Sequence, residues 1–430
     1  MSSSTSTSSI GEAGGPKPRI EDFSDPHFDP FATFDRATGQ AEVTDPYPRF
    51  HELHAAGSVQ PGDIRQSFAL QRFGVWAKYP SYMVFGHENV ARALLETKVF
   101  SSTIAKDLYV GAFGESINAM DPPEHTRYRA LFQQAFLPRP LKVWGTEVIP
   151  AVVDAIVGKF KNRGAAELVS EFTVRFPFEI IYAQLGLPEH ELAIFHRLST
   201  GLMCTLIDYD HAHEASLKMG TYLSGLLEER RGREGTDFIT MLANAEVGGE
   251  RLPDEITISF LRQLMNAAGD TTYRATGNLL VGLLTNPEQL DAVRADRKLV
   301  PKAVDEALRW EAPLPTLSRL TLCDVSMGGK VIPAGHKVDV IAGSANRDPD
   351  RNANPDGFSL FRPMIRHFAF AYGPHVCLGM HLVRIEMERA LNTLLDCLPN
   401  MRLDPAKPRP AIVGLHSRSP EAVHVLFDPA

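Results

Sequence analysis

Cysteine is scarce in this chain: four residues in 430, at positions 204, 323, 377 and 397, with no Cys-x-x-Cys pairing. That spacing excludes a disulfide scaffold and a cysteine-rich zinc site, and so low a count fits a reducing compartment with free thiols. No apolar run reaches the ~18 residues of a membrane span. The N-terminus has neither a basic nor an apolar leader region, so a soluble, cytoplasmic protein is expected. Cations are also in short supply, with 44 Lys+Arg against 52 Asp+Glu and a formal net charge of −8. Without a basic run, the electrostatic footprint of a nucleic-acid binder is missing. What is present is ordinary globular composition, 44% hydrophobic and 22% charged, enough for a large core. Ser, Thr, Gly and Pro dominate the beginning, so residues 1–30 are expected to form a disordered tail. No linker or repeat interrupts residues 31–430, which are expected to form one domain.

Periodicity within that domain predicts mostly helix with a smaller β part. Ser81 to Phe85 reads as a strand closed by Gly86, and the Asp-Pro-Pro at 121–123 opens a helix on which His125 and Arg129, four apart, share one face. No proline interrupts residues 254–286, whose apolar spacing predicts a rod of about 50 Å through the core. Its middle, Asn266-Ala-Ala-Gly-Asp-Thr-Thr272, is poor helix material, and Gly269 alone costs ~1 kcal/mol relative to alanine. Something other than helix stability holds those residues there. A charged helix with Glu306 and Arg309, β-rich segments around 318–341, a proline-broken coil over 346–366 and a helix near 378–397 follow.

The last of these helices is preceded by a glycine-punctuated loop, Phe370-Ala-Tyr-Gly-Pro-His-Val-Cys-Leu-Gly379. A thiol there faces the positive end of a helix and free backbone N–H groups, which favour thiolate, the form that ligates iron. The competing reading makes Cys377 one more small buried apolar residue.

The loop resembles the heme signature Phe-x-x-Gly-x-x-x-Cys-x-Gly of the cytochrome P450 family, and the likeness extends from about Asp45 to Phe427. It implies a mainly helical single-domain P450 fold, with heme b (iron protoporphyrin IX) between the long helix and the Cys loop. Cys377 would be the axial thiolate, with Phe370, Gly373, His375 and Gly379 shaping the loop around the cofactor. Glu306 and Arg309 match the family's Glu-x-x-Arg pair, a structural brace. Taken alone, an acid and base three apart on a helix are usually a solvated pair.

The mid-rod residues resemble the family's oxygen-activating segment, with Ala267 and Ala268 over the iron, Asp270 as the acid and Thr271 as the alcohol. Ala268 stands where the family usually has glycine, and a register using Gly269 as that glycine is the alternative. Thr271 also has a plain structural reading, a bond back to the carbonyl four residues earlier. The propionates need buried cationic partners, and His125, Arg129, Arg319 and His375 align with the positions that supply them.

A thiolate ligand favours O–O cleavage over reversible oxygen binding. The resemblance thus implies a monooxygenase inserting one atom of O2 into a hydrophobic small molecule, of terpenoid, steroid or substituted aromatic class. No flavin or iron–sulfur module follows, so electrons are expected from NAD(P)H through a ferredoxin reductase and a ferredoxin, with Arg127 either part of that docking face or an ordinary surface charge. A peroxide-driven peroxygenase and a non-catalytic heme sensor are the alternatives; peroxide-dependent relatives usually lack the acid–alcohol pair. For the substrate pocket, position points to Gln263, Asn266, Pro315, Leu317, Val413 and Leu415. The two amides either hydrogen-bond a polar group on the substrate or bond their own neighbours.

Overall fold

The computed structural model describes residues 30–206 and 208–429. The expected disordered tail therefore lies outside the described residues, apart from Pro30, which opens a helix over Pro30–Ala37. The long helix runs unbroken over Asp254–Leu284, about 46 Å at ~1.5 Å per residue. Asp254 and Glu255 sit in its first turn, where acidic side chains complement the helix dipole. From Thr272 to Leu284 every residue is buried, the pattern of a helix enclosed on all sides. Helices Phe176–Leu185, Tyr209–Arg230, Val300–Trp310 and Met380–Cys397 pack around it and contribute to the main hydrophobic core.

Gly269 and Gly282 are points of close approach along this rod. A Cβ on Gly269 would lie 2.3 Å from the Phe178 ring, and one on Gly282 would lie 2.8 Å from Phe358. The helix-weakening glycine at its centre is thus explained by the aromatic side chain of Phe176–Leu185 seated against its backbone.

A five-stranded sheet lies to one side, in the order Val59–Pro61, Ser81–Val84, Lys337–Val340, Leu317–Thr321, Phe100–Ser101. Only the Ser81–Val84 to Lys337–Val340 pair is parallel. Leu317–Thr321 runs antiparallel to Lys337–Val340, with Arg319 opposite Val338. The sheet thereby carries Arg319 into the interior. Among the described residues no helix is long and apolar enough to cross a membrane.

Candidate active site

The Cys loop is shaped by its backbone. The Cys377 N–H donates to the Phe370 carbonyl at 2.9 Å, closing the turn, while Val376 N–H donates to Gly373 at 3.0 Å. Gly373 has φ of +71°, and a Cβ there would meet the Leu94 carbonyl at 2.8 Å, so both conformation and space demand glycine. Gly379 has φ of −85° and no contact under 3.7 Å, so its backbone imposes no such demand. The Phe370 ring is buried under the Arg384 guanidinium, 4.7 Å from its centroid.

Cys377 has open surface, yet it is enclosed deeply enough that burial raises its thiol pKa. The two observations agree if the sulfur looks onto an interior space. The N–H of Gly379 and the charges of Arg129 and Arg384 pull the pKa down, but burial wins. This corrects the expectation of a ready-made thiolate: the helix starts only at Met380, and one N–H plus two nearby cations do not offset desolvation.

Beside the loop, four basic side chains converge. The rings of His125 and His375 have centroids 4.0 Å apart. Arg129 donates to the Val376 carbonyl at 2.6 Å, and Arg319, 8% exposed, donates to the Ser318 carbonyl. Both ring nitrogens of His125, Nε2 of His375 and Nε of Arg319 are buried without a hydrogen-bond partner. Burial and mutual repulsion push the pKa of His125 down to about 4 and that of His375 to about 3. Burial also lowers Arg319 to about 10, against the pull of Asp121. So many unpartnered donors in one place call for anionic oxygens. The two carboxylates of a porphyrin would fit this donor set, with Cys377 beside it to hold the iron, so the described residues suit that cofactor.

That environment yields a prediction with a definite sign. Both histidines are neutral in the fold but take up protons near pH 6.5 once unfolded, so heme-free protein loses stability as pH falls from about 6.5 toward 4. The loss is on the order of a few kcal/mol. Urea unfolding midpoints measured across that window should fall steeply for heme-free protein. They should flatten when both residues are glutamine, and flatten again when heme carboxylates accompany the wild-type rings.

On the long helix, Ala267 is exposed, and Ala268 and Thr271 are half-buried, although their neighbours Met265, Gly269 and Thr272 are enclosed. This face therefore borders open interior space. Gly269 lies against Phe178, away from that face. Thr271 Oγ1 donates to the Ala267 carbonyl at 2.8 Å, so it makes the structural bond and sits on the open face at once. Asp270 is not a free acid: its Oδ1 accepts from Arg274 Nε at 2.6 Å.

Not every proposed pocket residue reaches that space. Gln263 is buried, and its Oε1 accepts from the Ser116 hydroxyl, so one side of this amide is spent on the segment before Asp121. Leu415 is fully buried among Tyr47, Phe50 and Phe85, and Pro315 is buried against Gly343 with its carbonyl accepting the Gly343 N–H at 2.8 Å. Both are wall structure instead of lining, because the C-terminal turn and the coil after Trp310 pack inward at these positions. Asn266, Leu317 and Val413 are half-buried and keep surface. Arg127 forms a surface pair with Glu250 at 2.5 Å, so its charge already has a partner within the chain. A separate cleft of about 530 Å³ between Tyr47, His51, Trp310 and Arg347 is lined by neither Cys377, the four basic side chains nor Thr271.

Glu306 and Arg309 are buried, not solvated. Arg309 binds both Glu306 carboxylate oxygens at 2.8 Å and donates to the carbonyls of Asn346, Pro355 and Gly357. Glu306 also accepts from Ser359 N–H and from Arg362, which itself reaches the carbonyls of Ala353, Asn354 and Gly357. Sequence reasoning overlooked Arg362 because it lies in an aperiodic coil. It likewise missed Asp35, on a short helix remote in sequence from every motif.

Known proteins resemble the chain throughout this region. A family model described as Cytochrome P450 matches residues 208–398. Cytochrome P450 monooxygenase PikC of Streptomyces venezuelae is 32% identical over 395 residues, 88% of this chain and 91% of that protein. A protein named Putative cytochrome P450 YjiB, from Bacillus subtilis, is 33% identical over 74% of this chain and 82% of its own length. Among solved structures, cytochrome P450 CYP109Q5 of Chondromyces apiculatus superposes with a TM-score of 0.80 at 30% identity, covering 90% of this chain and 96% of that one. CYP109E1 of Bacillus megaterium, solved with testosterone, gives 0.79 at 26% identity, over 89% and 99%.

Proposed function

The chain belongs to the cytochrome P450 family and is an oxidoreductase of the monooxygenase kind; from that premise we propose that it hydroxylates a hydrophobic small molecule using O2, heme b and electrons delivered by a ferredoxin. One observation carries the assignment of the cofactor site: a deeply set cysteine with open surface beside four basic side chains, three of which, His125, His375 and Arg319, have buried nitrogens without partners. Cys377 would ligate the iron, and Arg129, Arg319, His125 and His375 would hold the propionates. When bound, heme supplies the oxygen activation that a thiolate ligand promotes.

The remaining work falls to the chain's own residues. Thr271, on the open face one turn after Ala267, presents a hydroxyl toward the oxygen side, and Asp270 next to it is the group that moves a proton inward. A steroid-like or terpenoid frame suits this reading, since CYP109E1 has been solved with testosterone and with corticosterone. Asn266, Leu317 and Val413 are the lining residues the reading retains.

Turnover with reduced nicotinamide plus a surrogate ferredoxin and its reductase, compared with peroxide alone, separates the monooxygenase from a peroxygenase. Thr271→Ala should keep consuming nicotinamide while diverting most of the electrons to hydrogen peroxide, a loss of coupling on the order of tenfold. Undiminished coupling in that variant would remove the role given to the hydroxyl.

A further inference from the structure

Arg274 is held from three directions. Its Nε meets Asp270 Oδ1 at 2.6 Å, one turn back on the same helix, and its Nη1 meets Asp35 Oδ2 at 2.9 Å and the Ser419 hydroxyl at 3.1 Å. The guanidinium is 2% exposed and each carboxylate side chain 11%. One cation and two anions are therefore enclosed together, with the Tyr273 ring 5.0 Å from the guanidinium and Tyr109 close enough to feel the charge of Asp270. Asp35 arrives from Pro30–Ala37, a helix remote in sequence from every motif.

A carboxylate tied to a buried arginine is a poor carrier of protons. To accept one it must give up its charge, and neutralising one partner of a buried ion pair is strongly unfavourable because the other charge is left uncompensated. Asp35 changes that balance. It keeps Arg274 compensated while Asp270 is neutral, and its own negative charge nearby disfavours the charged form of Asp270. We infer that Asp35 is a positioning residue for the proton step: by sharing Arg274, it frees Asp270 to take a proton from the solvent side and pass it toward Thr271. The proton accepted is the proton given up, so the three groups end as they began. The inference rests on the acid–alcohol reading of Asp270 and Thr271 made above.

The experiment uses the full heme-loaded chain with Asp35→Asn and, as rescue, Asp35→Glu. Protonation of Asp270 is followed by its carboxyl infrared band, isolated by difference against each protein's Asp270→Asn counterpart. Asp35→Asn should move the midpoint down by about one pH unit, because Arg274 then attends to Asp270 alone. It should also raise the solvent deuterium isotope effect on nicotinamide oxidation about twofold, with testosterone as the probe compound, as the proton step becomes more limiting. Asp35→Glu should restore both values. A wild-type midpoint and isotope effect in Asp35→Asn overturn the inference. So do equal losses in the Asn and Glu variants that track a lowered thermal midpoint, since those describe a staple for the first helix. The carbon monoxide spectrum and the Thr271→Ala coupling are read on the same preparations. If they fail, the reading of the site fails, whereas a wild-type infrared midpoint in Asp35→Asn, with both intact, rejects Asp35 alone.

Discussion

Cys377→His folds and takes up heme but loses both the strongly red-shifted Soret band of the reduced carbon monoxide complex and all detectable turnover. The reason is electronic. A neutral imidazole favours reversible oxygen binding, whereas a thiolate pushes electron density onto the iron and favours O–O cleavage. Retention of the porphyrin is expected because the donors proposed for its propionates lie elsewhere, on the helix Glu124–Phe132, on the strand Leu317–Thr321 and at His375. Burial raises the thiol pKa in the protein alone. On the proposed reading the metal drives ionisation of the sulfur, and heme-free protein should react only slowly with thiol reagents at neutral pH. Persistence of the red-shifted band in Cys377→His would mean that another residue holds the iron.

The second large effect is on stability. Glu306→Gln removes the carboxylate shared by buried Arg309 and half-buried Arg362, both of which grip the coil over residues 353–357. Losing one partner from such a buried set costs about 3–5 kcal/mol, a large share of the ~5–15 kcal/mol by which a folded protein is stable. Arg309→Lys should be nearly as damaging, since an ammonium cannot reproduce a bidentate carboxylate contact together with three carbonyl contacts. The thermal midpoint and the ratio of bound heme to protein measure both. The coil that these residues pin leads directly into the Cys loop, so heme retention should fall together with the midpoint. A midpoint within a degree of the parent would return Glu306 and Arg309 to the status of an ordinary helix pair.

Local signals made much of this protein readable from its sequence. The glycine-punctuated loop around Cys377 needs Gly373 for a left-handed turn pressed against the Leu94 carbonyl, and that demand leaves its mark within ten residues. The long helix over Asp254–Leu284 declared itself through apolar spacing and the absence of proline, and His125 and Arg129 followed from a four-residue step on one face. Contacts between segments remote in the chain carry no such mark. Gln263 turned out to serve Ser116, Leu415 to fill the core beside Tyr47, and Gly269 to make room for Phe178. Tertiary packing alone decided that the surroundings of Cys377 make it harder to ionise than its place before a helix implies, and that Arg274 joins Asp270 to Asp35. Periodicity and turn chemistry act between near neighbours. Burial, charge pairing and the sharing of a cation are set by which distant residues the fold presses together.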